Sequence, residues 1–377
     1  MRTPARRELF SRRLLAEMVA EALPGLSLLA VRGVPGGSSA YARELIVSSA
    51  TGEQQRLILR CFAAGWQGSP RSKVEREGLA LSTLAGSGLP VPQAVWSDPR
   101  GHLLGYPAIL QTRLPGRVWW PRATRPSGAK AMAQVLAAIH SSPKPSGLPS
   151  ARGWVQWTIG HERSRGGWRN HPQAHAIEEA IVPAVGRALW RRHVLCHGDF
   201  NPGNVLWSRD GLGGVVDWET AESAPPAADV GACRFDLAVT SGAATAEAFL
   251  EGYGRDDSDL WFWELLTALR FISLYREWLP LWHRFGLPDL DERTVLRRIQ
   301  AAIADSFGER CESHHAEPAN AQWARQVSWA SRARVSASAR LPRRERCSLS
   351  DDSRPAGGRS EERRVGKECR SRWSPYH

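Results

Sequence analysis

Along the first 307 residues the spacing of apolar side chains shifts from about two to about four, and the shift divides the chain. Leu26–Val31, Ala40–Val47 and Gln55–Phe62 read as three strands, and Gly105–Leu114 as a further one. Before them, Arg6–Leu23 carries Glu8, Glu17 and Glu21 among its apolar residues and reads as an amphipathic helix. Beyond the Pro-rich stretch Pro121–Ser127 the period is helical. Met132, Val135, Leu136 and Ile139 stand at i, i+3, i+4 and i+7, with His140 closing the turn as a structural hydrogen-bonding residue. Leu260–Trp282 and Asp291–Phe307 read as helices too. Residues 143–173 show no period and hold Trp154, Trp157 and Trp168 among Arg163, Arg165 and Arg169. A loop of that length is expected either to bind a planar or anionic substrate or to be pinned to the core by its tryptophans. The whole reads as α+β, a small β-rich part followed by a larger, mainly helical one.

The remaining residues behave differently. From 308 to 377 there are 15 Arg and Lys against 9 Asp and Glu, which is half of the net charge of +12. This stretch is rich in Ser, Arg and Ala, lacks any period, and cannot bury a core. Its end, Glu361–His377, resembles translated adaptor or vector sequence. Residues 311–377 are therefore set apart as a disordered, basic and extraneous tail. With half the excess charge confined there, no nucleic-acid partner is expected. No apolar run reaches the roughly 18 to 20 residues of a membrane span, and the N-terminal helix is too acidic for a signal peptide, so neither a membrane nor export is expected. Six cysteines at 61, 196, 233, 311, 347 and 369 show no paired spacing and read as free thiols of a cytoplasmic protein. Cys311, His314 and His315 lack a fourth ligand in register for a metal.

The chemistry is concentrated in residues 194–217, VLCHGDFNPGNVLWSRDGLGGVVD. Asp199 and Asn204 are spaced as in the H-x-D-x-x-x-x-N loop of phosphoryl transfer, where the aspartate accepts the hydroxyl proton and the asparagine holds magnesium. Asp217 ends the short apolar strand Gly214-Val215-Val216, where a second magnesium ligand belongs. Such transfer is catalysed mainly by positioning and charge neutralisation, so one base and two oxygen ligands come close to a complete set.

His197 to Asn204 followed by Val216-Asp217-Trp218-Glu219 resembles the aminoglycoside phosphotransferase and choline kinase-like family. The resemblance implies a two-lobed, protein-kinase-like fold, with an N-terminal nucleotide-binding lobe over 1–114 and a C-terminal catalytic and substrate lobe over 115–310. It implies ATP and Mg2+ as cofactors and a hydroxyl of a small molecule as acceptor. Within it, Gly36, Gly37, Ser38 and Ser39 cover the nucleotide phosphates, although a plain hairpin turn fits the same residues, and Ala40 stands where the family often has asparagine. Arg60 on the third strand touches the α- and β-phosphates, held by Glu77, with Glu75 as the rival carboxylate. Arginine in place of the usual lysine keeps the charge but not the geometry. Gln111, Thr112, Arg113 and Leu114 form the hinge that meets adenine through its backbone. His197 supports the loop, and Asp229 either braces the loop's backbone or caps the following helix.

The resulting reading is an ATP- and magnesium-dependent transfer of phosphate to an antibiotic sugar, an amino alcohol or a related metabolite. Three alternatives stand beside it, one of them a basic interaction protein acting through its tail. A nucleotide-binding protein with weak turnover fits the degenerate glycine turn, and a protein kinase fits the catalytic loop, although Ala224-Pro225-Pro226 follows Asp217 too soon and lacks the glutamate of A-P-E. Glu219, Glu222, Glu264 and Glu277 could make an acceptor site acidic, but Arg163, Arg165 and Arg169 oppose them. The balance points to an acceptor less positive than an aminoglycoside.

Overall fold

The computed structural model describes residues 11–34, 40–63, 69–165, 171–254 and 259–313. Helix α1 (Arg12–Ala22) starts at Ser11, whose hydroxyl accepts from the Leu14 N–H at 3.3 Å, and it buries Leu15, Met18 and Val19. These residues pack against an antiparallel sheet of order β1-β2-β3-β5-β4. Its strands are β1 (Leu26–Gly33), β2 (Ala40–Ser49), β3 (Gln54–Phe62), β4 (Ala94–Asp98) and β5 (Ala108–Thr112). Alternation along β3 sends Leu57, Leu59 and Cys61 into the core shared with α1, and turns Arg60 and Phe62 to the other face. Register decides the chemistry here, because a slip of one residue would bury Arg60 among leucines. It is set by Arg60 lying opposite Ala42 on β2 and Ile109 on β5.

Helix α2 (Pro70–Leu84) packs on that second face. Ser69 caps it by accepting from the Ser72 N–H at 3.2 Å, and Pro70 occupies the first turn, where a missing N–H costs nothing. Its Val74, Ala80, Leu81 and Leu84 join Phe62 and Ile109 in a second, larger core, which continues through the helical part of the molecule.

That part comprises β6 (Arg117–Val118), α3 (Trp120–Ala123), α4 (Pro126–His140), α5 (Ala151–Arg165), α6 (Pro172–Leu189), β7 (Val194–Cys196), β8 (Val205–Ser208), β9 (Gly211–Val215), β10 (Glu222–Ala224), α7 (Ala227–Thr240), α8 (Ala243–Tyr253), α9 (Leu260–Arg284) and α10 (Glu292–Ser313). Two single 3-10 turns, Pro202–Asn204 and Trp218–Thr220, interrupt it. The small sheet β6-β8-β9 and the pair β7-β10 hold residues 197–204 and 216–221 between them. Helix α9 buries 16 of its 25 residues, so it is the central helix of this lobe and not a surface one. Helix α10 runs on to Ser313, past the boundary expected at 310. No described helix is long and apolar enough to cross a membrane.

One expectation fails. Much of the stretch 143–173 is not a loop, since Ala151–Arg165 is helical and buries Ala151, Val155 and Ile159. That stripe repeats every fourth residue only, and Gly153, Trp154, Trp157 and Gly160 interrupt it, so no amphipathic signal rises above the aromatic noise. The side chains of Arg163, Arg165 and Arg169 lie outside the described residues.

Helices α4 and α8 meet at Gly252, where a Cβ would lie 2.8 Å from the Lys130 Cα. The obstacle is backbone, which cannot rotate away. Gly252→Val is expected to lower the thermal midpoint, by about 1 to 3 kcal/mol of overpacking, and calorimetric unfolding of the variant checks it.

Candidate active site

The turn after β7 is held through its backbone. Gly198 has φ +79°, and a Cβ there would lie 2.2 Å from the Thr220 carbonyl oxygen, so the position requires glycine. Asp229, in the first turn of α7, accepts from the His197 N–H at 2.7 Å and the Gly198 N–H at 2.9 Å. It also accepts from His140 Nε2 at 3.1 Å, and the other ring nitrogen of His140 meets the Tyr253 hydroxyl at 2.7 Å. Burial alone would push the Asp229 carboxyl up, but the bond and charge of His140, with the His197 N–H, hold it below the usual range. His197 donates from Nε2 to the Val216 carbonyl at 3.0 Å and accepts at Nδ1 from the Asp199 N–H at 3.3 Å, and burial lowers its pKa. The imidazole is thus a neutral spacer between the two ends of the loop.

Asn204 follows on the 3-10 turn. Its amide donates to the backbone oxygen of Asp199 at 2.8 Å and to its carboxylate at 3.1 Å. Its carbonyl oxygen in the main chain accepts from the Val216 N–H at 2.9 Å, which carries the geometry across to Asp217. Asp217 has φ +73°, a left-handed conformation that aspartate tolerates better than most residues. Burial pushes its carboxyl up, yet the charge and hydrogen bond of Arg60 overcome that and hold it low.

Arg60 is the junction of the two halves. From β3 its guanidinium reaches Glu77 on α2, Asp217, and Glu219 at 2.8 Å. Lys73, one turn before Glu77, reaches the other oxygen of Glu219 at 2.8 Å. Burial lowers the Arg60 pKa, but the three carboxylates more than reverse it. Glu77 is fully buried and pushed up to about 7, by burial first and against the pull of Arg60. Glu75 pairs with Arg71 at 2.7 Å on the exposed side of α2, so it does not compete for Arg60. Lys73 was not singled out from the sequence, where a lysine two residues before a glutamate looks like a solvated helix face.

Near the end of β5, Gln111 is buried on the strand face that also presents Arg60, and Thr112 accepts from the Gln93 N–H at 2.9 Å. Arg113 pairs with Glu44 at 2.9 Å and donates to the Leu114 carbonyl at 2.6 Å. Gly36, Gly37, Ser38 and Ser39 lie outside the described residues.

Asp199 opens onto a cavity lined by residues of α5, β10, α7 and α9, among them Trp154, Glu222, Asp236, Arg270 and Trp278. Asp199 is pushed up to about 7 by burial, with Arg270 the main opposing influence. Burial also pushes Glu222 and Asp236 up to about 8. Glu264, expected to acidify this site, faces elsewhere, bonded to Arg234 and to Ser306. Trp154 and Glu222 also line a neighbouring cavity with Arg76 and Trp157.

The raised carboxyls set a pH dependence. A carboxyl whose folded pKa is raised binds its proton more tightly in the folded state, so its stabilisation is present below the unfolded value and lost as pH rises through the folded one. His171 and His197, lowered by burial, act in the opposite sense but only below about pH 6.5. The thermal midpoint of the nucleotide-free protein is therefore expected to fall between about pH 6.5 and about 8. Glu222→Gln should flatten that slope, and thermal unfolding at a series of pH values measures both.

Comparison with known proteins follows the same lines. Residues 30–266 match the model of the phosphotransferase enzyme family. A homoserine kinase from Rhodopseudomonas palustris (strain BisA53) is 27% identical over 190 residues, covering 46% of this chain and 57% of that enzyme, so the chain spans little more than half its length. Two solved structures share the fold. A putative aminoglycoside phosphotransferase from Ralstonia eutropha JMP134 has a TM-score of 0.51 at 16% identity, covering 80% of this chain and 98% of that one. Spectinomycin phosphotransferase APH(9)-Ia, in complex with ADP and spectinomycin, has a TM-score of 0.50 at 16% identity, covering 85% and 98%. With a small sheet lobe, a larger helical lobe and more than half of its length inside the family match, the chain belongs to the phosphotransferase enzyme family.

Proposed function

We propose that this chain transfers the γ-phosphoryl group of ATP, with magnesium, to a hydroxyl of a small molecule. The observation that carries the reading is Asn204, whose side-chain amide donates to both the backbone and the carboxylate of Asp199 and whose main-chain carbonyl accepts from the Val216 N–H next to Asp217. The donor set fits magnesium. Asn204 spends its amide hydrogens on Asp199, leaving its side-chain carbonyl oxygen for a cation, and Arg60 engages one oxygen of Asp217, leaving the other. Both are hard oxygen ligands. Asn204 and Asp217 would hold magnesium, which would supply neutralisation of the charge that develops on the phosphates.

Asp199 orients the acceptor hydroxyl and takes its proton. The hydroxyl oxygen forms a bond to the γ-phosphorus as the bond to the β–γ bridging oxygen breaks, and ADP leaves with that electron pair. A carboxyl pushed up to about 7 is matched to accepting a proton near neutral pH. Arg60, steadied by Glu77, lends its charge to the α- and β-phosphates, and Gly36 to Ser39 close over them. Gln111 to Leu114 meet the adenine, while His197 and Asp229 hold the loop in register. On this reading the nucleotide lobe is 1–114 and the catalytic lobe 115–310. The ADP in the spectinomycin phosphotransferase of the same fold supports a nucleotide in the cleft. An acceptor less cationic than an aminoglycoside is favoured, since Glu264 is committed to Arg234 and Arg270 stands close to Asp199.

Asp199→Asn is expected to cut turnover by about 10² to 10⁴ while Mg·ATP still binds. Near-wild-type kcat with any accepted substrate removes Asp199 from the role of base. Asp217→Ala should weaken the binding of Mg·ATP more than that of metal-free ATP, both read by calorimetry. Equal effects on the two would make Asp217 a structural residue.

A further inference from the structure

The cavity beside Asp199 brings together a guanidinium and a carboxyl group from two different helices. On α9, Arg270 lies with its guanidinium carbon 5.0 Å from the centroid of the Trp154 ring and 5.7 Å from that of Trp278, so a cation already occupies the aromatic cleft. Stacking uses the faces of a guanidinium, and its N–H donors lie in its plane, where a carboxylate is recognised through two parallel bonds. Trp154 is itself stacked on Trp157, with centroids 5.2 Å apart and an interplanar angle of 17°, which fixes the wall against which Arg270 rests. On α7, Asp236 lines the same cavity with only 5% of its surface exposed, and its Oδ1 has no hydrogen-bond partner. A buried carboxyl oxygen without a donor is costly, and a ligand ammonium removes that cost while favouring the ionised form of a group that burial pushes up to about 8. Arg270 acts on both Asp199 and Asp236, and Asp236 acts on Asp199, so both groups stand close to the one that meets the acceptor hydroxyl.

We propose that Arg270 and Asp236 select the acceptor by its two charges, Arg270 taking a carboxylate and Asp236 an ammonium, so that the substrate is a short zwitterionic amino acid bearing a hydroxyl. The inference rests on the phosphotransferase reading and narrows it. Three features argue against a polycationic sugar. The cation in the aromatic cleft repels it, the tryptophan walls leave a narrow cavity, and the carboxylates here number few against the several ammonium groups of such a sugar. The reaction is unchanged, with the side-chain hydroxyl oxygen joining the γ-phosphorus, its proton passing to Asp199, and ADP leaving. The relative named above as a homoserine kinase is consistent with an acceptor of this kind.

The test uses three acceptors of one length that differ only in charge: L-homoserine, 3-aminopropan-1-ol, which lacks the carboxylate, and 4-hydroxybutanoate, which lacks the ammonium. For the wild-type protein kcat/KM for homoserine should exceed that for either analogue by roughly tenfold or more, as expected when a buried charged partner is left unmatched. Arg270→Gln should erase the advantage over 3-aminopropan-1-ol and leave the advantage over 4-hydroxybutanoate. Asp236→Asn should do the reverse, with both changes appearing in KM before kcat. Loss of all three activities in proportion would mark the two residues as merely structural and overturn the proposal. So would a wild-type protein that ignores homoserine, or one that phosphorylates kanamycin or 3-aminopropan-1-ol as well as homoserine. Calorimetric binding of Mg·ATP to the same sample separates the two levels. If Mg·ATP binds while homoserine is refused, the acceptor inference fails and the phosphotransferase reading stands; if Mg·ATP does not bind, both fail.

Discussion

One guanidinium holds the two halves of this protein in register. Arg60 projects from the sheet and is met by Glu77 from α2 and by Asp217 and Glu219 from the turn after β9, three carboxylates around one cation. Lys73 offsets part of the excess through Glu219. A buried ion pair seldom adds much net stability, because desolvation cancels most of the attraction, but removing one member strands the others at several kcal/mol. The arrangement therefore serves position more than stability. It ties the end of a strand, a helix and the catalytic turn to a common point, from residues as far apart as 60 and 219.

A second polar unit does for the loop what Arg60 does for the lobes. Asp229 reads backbone N–H groups of residues 197 and 198, and His140 with Tyr253 fixes the carboxylate from behind. Because it binds main chain, it is indifferent to which side chains stand there, apart from the demand for glycine at 198. The two units meet at His197, whose ring spans from the loop to Val216, next to Asp217.

How much of this could be read from the chain follows from distance. The loop from His197 to Asn204 is local, so its spacing alone exposes it, and the strand that delivers Asp217 follows within a few residues. The pairing of Arg60 with Glu77 over Glu75 was legible through the family pattern, and α2 puts the two glutamates on opposite sides, one buried and one beside Arg71. Lys73 and Glu219 are 146 positions apart and carry no signal of meeting. Trp154, Asp236 and Arg270 converge only because α5, α7 and α9 pack together, and α5 itself was hidden by glycines and tryptophans in its sequence. Glu264 illustrates the opposite error, since an acidic residue on the right helix can still turn to an arginine such as Arg234 on its far side.

Helix α2 has a mechanical meaning that its place in the chain conceals. Although it follows three strands of the sheet, its apolar face belongs to the larger core, and its partner at the catalytic turn lies in the helical lobe. Helix α2 therefore bridges the two parts, packing on Phe62 and Ile109 of the sheet while its apolar face continues into the core of the helical lobe. Across that bridge Arg60 is a latch, carried by the sheet and received by Glu77 on α2 and by Asp217 and Glu219 on the catalytic turn. A displacement of the sheet would pass through that single side chain to the turn that carries Asp217.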